Sequence, residues 1–221
     1  MRTPTRISAT DLATAIIALC AVALTVLVGI QFFFPPDVDP RFGGRDEQVS
    51  NWSEVISHGH RIGPPDAPVV IVEFGDYECE FCRIFERSLR NVLFDYPDQV
   101  ALVYRHLPMS YHEHAYDAAI LAECAGVQGM FEAAHNALYD RPGLEDLEEA
   151  TFAVEIGIGD STAFSRCVGE RIPAPAIERD IADAENWDIF GTPTVIVNGL
   201  RLGRTPDEAR LRELIVAELE P

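Results

Sequence analysis

The chain has 221 residues, room for one ordinary domain and an appendage, and its 48% hydrophobic content excludes a globally disordered protein. All 17 basic residues are arginine, none is lysine, and 36 are acidic; the resulting net charge of −19 excludes nucleic acid as a partner. An acidic, lysine-free surface suits a high-salt habitat, while GC-rich coding accounts equally well for the missing lysine.

Residues 1–11 carry Arg2 and Arg6 and read as a short cytoplasmic tail. Residues 12–34 then run without a charge, with only Thr14, Thr25 and Gln31 hydrophilic. That length spans a bilayer as a helix and exceeds the roughly 7–15 apolar residues of a cleaved signal peptide, so an uncleaved transmembrane signal anchor is expected. Leu19 precedes Cys20 where a lipoprotein signal needs a small residue, so Cys20 reads as part of the membrane helix. The short tail is expected to stay in the cytoplasm, with the rest of the chain across the membrane.

Residues 35–59, with Pro35-Pro36, Pro40 and Gly43-Gly44, read as a linker; within it a weakly amphipathic stretch from Trp52 to Ile56 is expected to pack on the domain beginning at residue 60. His60-Arg61-Ile62-Gly63 reads as a short first strand.

Val69–Gly75 is an apolar run of strand length, and Cys79-Glu80-Phe81-Cys82 follows at the opening of a helical pattern. In that pattern Phe81, Ile84, Phe85, Leu89, Val92 and Leu93 share one face, opposite Arg83, Glu86, Arg87 and Arg90. A helix N-terminus presents unpaired N–H groups and the positive end of the helix dipole, both of which favour a thiolate. Cys79 is therefore the expected nucleophile. Cys82, one turn on, is expected to face inward and to resolve a mixed disulfide formed at Cys79. The alternatives are a structural thiol pair or half of a zinc site.

Residues 99–106 read as a second strand, ended by Leu107-Pro108. Helical segments follow from about Tyr111 through an alanine-rich stretch to Ala125, then at 129–139, 147–156, 161–168 and 175–188. Gly191-Thr192-Pro193 leads into a β-branched run, an Asn198-Gly199 turn and a second short run, the pattern of a hairpin. Residues 206–219 close the chain as an amphipathic helix with Ala209, Leu211, Leu214, Ile215 and Leu219 on its buried face.

The strand, Cys-x-x-Cys and helix, together with the Thr192-Pro193 loop, resemble the thioredoxin superfamily. Cys82 and Pro193 stand 111 positions apart, much farther than in a plain thioredoxin, and most of the intervening chain is helical. This arrangement is similar to the DsbA-like family of bacterial envelope thiol–disulfide oxidoreductases, in the branch whose domain follows a membrane segment, and the similarity covers about residues 60–220. It implies an α/β thioredoxin fold with a helical insertion at about 111–189, preceded by one transmembrane helix. It also implies a cis Thr192–Pro193 peptide beside the redox pair, where both residues hold the extended substrate backbone. Glu73, inside the apolar strand, matches the family's acidic residue that lies beneath the pair and exchanges a proton with the second cysteine. Burial would raise its pKa toward neutral, which suits that exchange; the alternative is a solvated edge-strand carboxylate.

Strongly oxidising members of the family carry Pro-His between the cysteines, where this chain has Glu80-Phe81. Asp76, Glu78 and Glu80 are expected to place like charge near Cys79, disfavouring its thiolate and making the pair more reducing than the strongest oxidases. Phe81 is a candidate contact for a hydrophobic substrate segment, and Tyr111 or His112 for the substrate groove. Cys124 and Cys167 are either two inert buried thiols or, as an even pair in an oxidising compartment, a structural disulfide; the disulfide is the expectation, and some DsbA-like relatives carry one in this region. His58-x-His60 and His112-x-His114 are poorly spaced for zinc, so no metal site is expected.

Taken with the resemblance, the sequence implies an oxidase or isomerase acting on cysteines of unfolded or partly folded exported proteins. It needs no external cofactor and is recycled by a redox partner in the membrane. A monomer is expected in the bacterial inner membrane, crossing once, with its domain in the periplasm or extracytoplasmic space. The competing readings are a dedicated envelope disulfide reductase and a metal-binding, metallochaperone-like domain on the same fold.

Overall fold

A computed structural model describes residues 44–220. The tail, the membrane anchor and the start of the linker fall outside the described residues. Among the described residues no helix is long and apolar enough to cross a membrane.

The chain enters as β1 (Glu47–Gln48), a one-turn helix α1 (Trp52–Val55) and β2 (His60–Ile62). Next comes β3 (Val69–Gly75), all seven residues of which are buried, as an apolar central strand covered on both faces requires. Helix α2 (Glu80–Asp95) crosses back to β4 (Val100–His106), which lies parallel to β3 with Val69 beside Val100, Glu73 beside Tyr104 and Gly75 beside His106. Five helices follow: α3 (Ala115–Val127), α4 (Phe131–Asp140), α5 (Glu149–Glu155), α6 (Ser161–Gly169) and α7 (Ala174–Asn186). The chain then returns to the sheet as the hairpin β5 (Thr194–Val197) and β6 (Leu200–Arg201) and ends in α8 (Glu208–Leu219). The six-stranded sheet has the order β1-β6-β5-β3-β4-β2, with β3 and β4 the parallel pair and the other pairs antiparallel.

Asn198 and Gly199 both take positive φ, 44° and 89°, as a two-residue hairpin turn of the right twist demands. The Asn198 carboxamide also accepts from the Val70 amide at 2.8 Å and donates to the Pro68 carbonyl at 3.0 Å, pinning the hairpin to β3. At Gly75 a Cβ would lie 2.5 Å from the Tyr104 ring, so only glycine lets that ring pack under the end of β3.

Alternation along β3 divides the core. Val69 and Ile71 face α2, α8 and the inserted helices together with Leu102, Phe85 and Leu211. Val70, Val72 and Phe74 face the other side, with Val55, Ala184 and Ile189. On that second face Arg105 is fully buried, donating to Asp180 at 2.6 Å, to Asp183 at 2.5 Å and to the Val55 carbonyl at 2.9 Å, with its guanidinium over Phe74 and Trp187.

Four expectations are corrected by the structure. Residues 44–59 are part of the folded unit rather than a tether, because β1 adds to β6 and Arg105 ties down α1 through a backbone carbonyl. The apolar face of α2 is rotated from the one the periodicity chose: Cys82, Phe85, Glu86, Leu89 and Val92 are buried, while Phe81 and Ile84 are 69% and 52% exposed. Helix α3 starts at Ala115 rather than near Tyr111, and Ala209 of α8 is exposed.

Candidate active site

Cys79 is the N-cap of α2, with an extended backbone (φ −72°, ψ 118°) and its amide bonded to the Asp76 carbonyl at 3.1 Å. Both Cys79 and Cys82 are free and buried. The Cys79 thiol donates to the Thr192 carbonyl at 3.4 Å, and the Thr192–Pro193 peptide is cis. The loop before β5 therefore delivers Thr192 and Pro193 to the first cysteine from 113 residues away.

The two sulfurs stand in contrasting electrostatic settings. The Cys79 thiol is lowered from 9.0 to about 6, chiefly because the Cys82 side chain hydrogen-bonds its thiolate; the Thr192 side chain and the amides of Cys82 and Phe81 add to this against the opposing effect of burial. Burial drives the Cys82 thiol well above its ordinary value, and its contact with Cys79 and the charge of Glu73 push the same way. One sulfur is thus prepared to attack or to leave as thiolate; the other needs a proton when it leaves.

Glu73 lies at the centre of β3 with no exposure, and neither carboxylate oxygen has a hydrogen-bond partner. Burial, then the neighbouring Glu86, raise its carboxyl well above 4.5. A carboxyl raised in this way and set beside Cys82 can give a proton in its acid form and take one back once ionised.

The carboxylates expected to repel the Cys79 thiolate are engaged elsewhere. Asp76 accepts from the amides of Glu78 (2.8 Å) and Met109 (2.7 Å) and pairs with His112 Nδ1 at 2.8 Å. Glu78 accepts from the His114 amide, and Glu80 pairs with Arg83 at 2.8 Å. These contacts fold the loop after β4 against the redox pair, bringing Tyr111 close enough for charge on Cys79 to raise its phenol, after burial. Like-charge repulsion is therefore not what governs Cys79; local hydrogen bonding is.

Glu86 and His135 were not singled out by the sequence. Glu86, one turn beyond Cys82 on α2, and His135, on α4 of the insertion, are both buried, with His135 Nε2 at 3.1 Å from Glu86 Oε1 though off the angle of a hydrogen bond. His135 Nδ1 lies 3.2 Å from the Tyr77 hydroxyl. The signal lay in the Cys-x-x-Cys itself: once Cys82 is taken as inward-facing, the residue four positions later must be inward too.

Cys124 of α3 and Cys167 of α6 are joined in a disulfide within the helical insertion. His60 pairs with Glu123 at 3.0 Å and His106 with the same oxygen at 3.1 Å. Burial alone would raise the Glu123 carboxyl, yet the two imidazoles bring it down to about 2. His58 bonds Ser57 and His112 serves Asp76. Among the described residues no group of three or more His, Cys, Asp and Glu side chains is arranged to hold a metal ion.

A Cys-x-x-Cys at the start of a crossover helix, facing a cis-proline loop and backed by a buried carboxyl, defines a thioredoxin-fold protein with a dithiol centre. A family model described as thioredoxin matches residues 56–217, and the chain belongs to that family. Its structural neighbours are of the DsbA and BdbD type. They include a thioredoxin-like oxidoreductase from Silicibacter pomeroyi (27% identity, TM-score 0.63, 72% of this chain and 90% of that one). BdbD from Bacillus subtilis aligns at 21% identity with TM-score 0.66 over 81% of this chain and 98% of that one. Pseudomonas aeruginosa DsbA2 aligns at 28% identity with TM-score 0.56 over 70% and 91%. Among curated sequences, 64% of the chain is 37% identical to part of Na(+)/H(+) antiporter NhaA 1 of Salinispora arenicola, and equally to that of a Mycobacterium species. The chain spans only 22% and 24% of the length of those two antiporters.

Proposed function

We propose that the chain is a membrane-anchored thiol–disulfide oxidoreductase that donates or rearranges disulfides in exported proteins. The single observation that carries this reading is the pairing of a thiolate-favouring Cys79, 3.4 Å from the Thr192 carbonyl, with a buried Cys82 backed by Glu73. A client thiolate attacks Cys79 Sγ of the oxidised pair; the new S–S bond forms as the Cys79–Cys82 bond breaks, and Cys82 leaves with the electron pair and takes a proton from Glu73. A second client thiolate then attacks the client sulfur of the mixed disulfide, and Cys79 leaves as thiolate. The reduced pair returns to the disulfide through exchange with a partner in the membrane.

Thr192 and Pro193 lie where an extended client backbone would pass Cys79, and exposed Phe81 and Tyr111 offer it apolar and aromatic contact. The Cys124–Cys167 disulfide supports work on the oxidising side of the membrane, and the uncharged run at 12–34 supports an anchor there, with the protein acting as a monomer. The antiporters' ion transport is not carried over, since the chain covers under a quarter of their length.

The deciding experiment equilibrates the Cys79–Cys82 pair against glutathione buffers. A Cys79 thiol at about 6 sits closer to thioredoxin, about 7, than to the most oxidising family members, about 3.5, so the potential should fall between about −120 and −270 mV. A value at the thioredoxin end would convert the reading to a reductase, and a pair that does not exchange with glutathione would overturn both.

A further inference from the structure

Beneath the redox pair lies more buried ionisable chemistry than the exchange reaction requires. Glu73 has no hydrogen-bond partner for either oxygen, although it is fully buried. Glu86 sits beside it on α2, and His135 reaches Glu86 from the inserted helix α4 at 3.1 Å. His135 is held among the rings of Tyr77, Tyr104, Phe131 and Tyr139, with centroids 4.7 to 5.8 Å away, so its position is fixed by packing. A buried carboxylate four residues from a resolving cysteine is costly, and a histidine from another subdomain aimed at it offsets that cost.

We propose that the Glu86–His135 pair is a positioning device for the resolving half-reaction: the negative charge that His135 helps to hold on Glu86 keeps the mobile proton beneath Cys82 on Glu73. This rests on the thiol–disulfide exchange proposed above and goes beyond it, since it assigns two residues that touch neither client nor sulfur.

The surroundings support the division of labour. Burial would raise the Glu86 carboxyl, but the neighbouring His135, with help from Glu73 and Arg90, turns its shift downward, while Glu73 shifts up. The titratable groups facing Glu73 are Cys79, Cys82 and Glu86 from α2 and its cap, Tyr104 from β4, Tyr139 from α4 and Tyr77 from the loop after β3. Burial raises all three phenols well above 10.0, so they stay neutral, and β5 contributes only Val195 opposite Glu73. Arg90 reaches outward to Asp140 at 2.8 Å and adds its positive charge to the lowering of Glu86.

In the step concerned, attack on Cys79 breaks the Cys79–Cys82 bond, the electron pair leaves on Cys82 Sγ, and the proton passes from Glu73 to that sulfur. In reverse, Cys82 returns the proton to Glu73, attacks Cys79 and expels the incoming group as thiolate. With Glu86 uncharged, Glu73 would hold its proton less tightly and Cys82 would leave unprotonated over a wider pH range.

The test uses the full chain in mild detergent, oxidised, with the Cys79–Cys82 disulfide first confirmed by thiol count. Carbon-13 carboxyl titrations, assigned through Glu73→Gln and Glu86→Gln, read each glutamate, and stopped reactions with dithiothreitol read the pH profile of disulfide reduction. In Glu86→Gln the Glu73 midpoint should fall by about one pH unit or more, and the rate profile should shift down with it. In His135→Gln it is the Glu86 midpoint that should move, upward. A Glu73 midpoint or a rate profile unmoved by Glu86→Gln, in a protein that still exchanges disulfides, overturns the proposal alone; a pair that neither forms nor exchanges a disulfide overturns the functional reading instead. The resting titrations need no turnover, so the Glu86 result in His135→Gln stands as a separate check should Glu86→Gln fold poorly.

Discussion

Two cysteine pairs share one domain and differ in what surrounds them. Cys79 and Cys82 are separated by two residues, free, at a strand-to-helix junction that favours one thiolate and backs the other with an unpartnered carboxyl. Cys124 and Cys167 are 43 positions apart, bonded, and clamp two helices of the insertion. The contrast teaches that lability belongs to the surroundings of a sulfur: a disulfide opens readily only where the leaving thiolate is stabilised or protonated. The first site gives up stability for chemistry, and the second supplies stability to the subdomain that brings His135 to Glu86.

The strongest way to break this comparison is to exchange the roles of the pairs. Cys79→Ser should abolish disulfide exchange with a model dithiol peptide, while Cys82→Ser should still attack and accumulate a client adduct visible on a non-reducing gel. The double variant Cys124→Ala/Cys167→Ala should lose about 4 kcal/mol in urea unfolding, the chain-entropy value for a loop of 43 residues. Its Cys79–Cys82 exchange rate should change little wherever it remains folded; a comparable loss of exchange would show that the two pairs are not separable.

Glu73 sharpens the trade between stability and chemistry. Glu73→Gln should slow reduction of the pair at neutral pH on the order of a hundredfold, the low end of general acid–base catalysis. Glu73→Leu should at the same time stabilise the fold by about 1–3 kcal/mol, since it removes a desolvated and unpartnered carboxyl. The sign with pH follows from a folded-state pKa raised above 4.5: the native carboxyl costs nothing extra while protonated in both states, and stability is lost as pH rises through the folded value. The advantage of Glu73→Leu in urea should therefore grow as pH rises above 4.5.

Cys79 has the opposite sign. Its folded value of about 6 lies below 9.0, so the reduced fold gains stability that is complete above 9.0 and is lost as pH falls through about 6. Thiolate absorbance in the ultraviolet should rise with a midpoint near 6, and a midpoint near 9.0 would remove the electrostatic distinction between the two cysteines. The smallest effect is expected at Phe81, whose exposed ring should alter client KM on substitution to Ala while shifting stability by less than about 0.5 kcal/mol.

Much of this was legible in one dimension. An apolar run, a Cys-x-x-Cys and a helix are local, so β3, the cap position of Cys79 and the start of α2 could be read from neighbouring residues. The Asn198-Gly199 turn announces its hairpin because few other residues tolerate positive φ at both positions. The helical insertion was visible as a run of alanine-rich and amphipathic segments, with boundaries displaced by a few residues.

The sequence by itself determined the elements, the chemistry of the redox pair and the candidates for its partners, because each depends on residues close along the chain. Tertiary structure decided how the buried face of α2 is turned, leaving Phe81 and Ile84 outside, although the four-residue spacing from an inward Cys82 already marked Glu86 as inside. It decided that Asp76, Glu78 and Glu80 are occupied by the loop after β4 and by Arg83, which removed the repulsion that their proximity in sequence led us to expect. It also brought His135 to Glu86, and residues 44–59 onto the sheet. In each case the physical reason is the same: the free energy of a buried charge is set by whatever packs against it, and those partners come from elements far away in the chain.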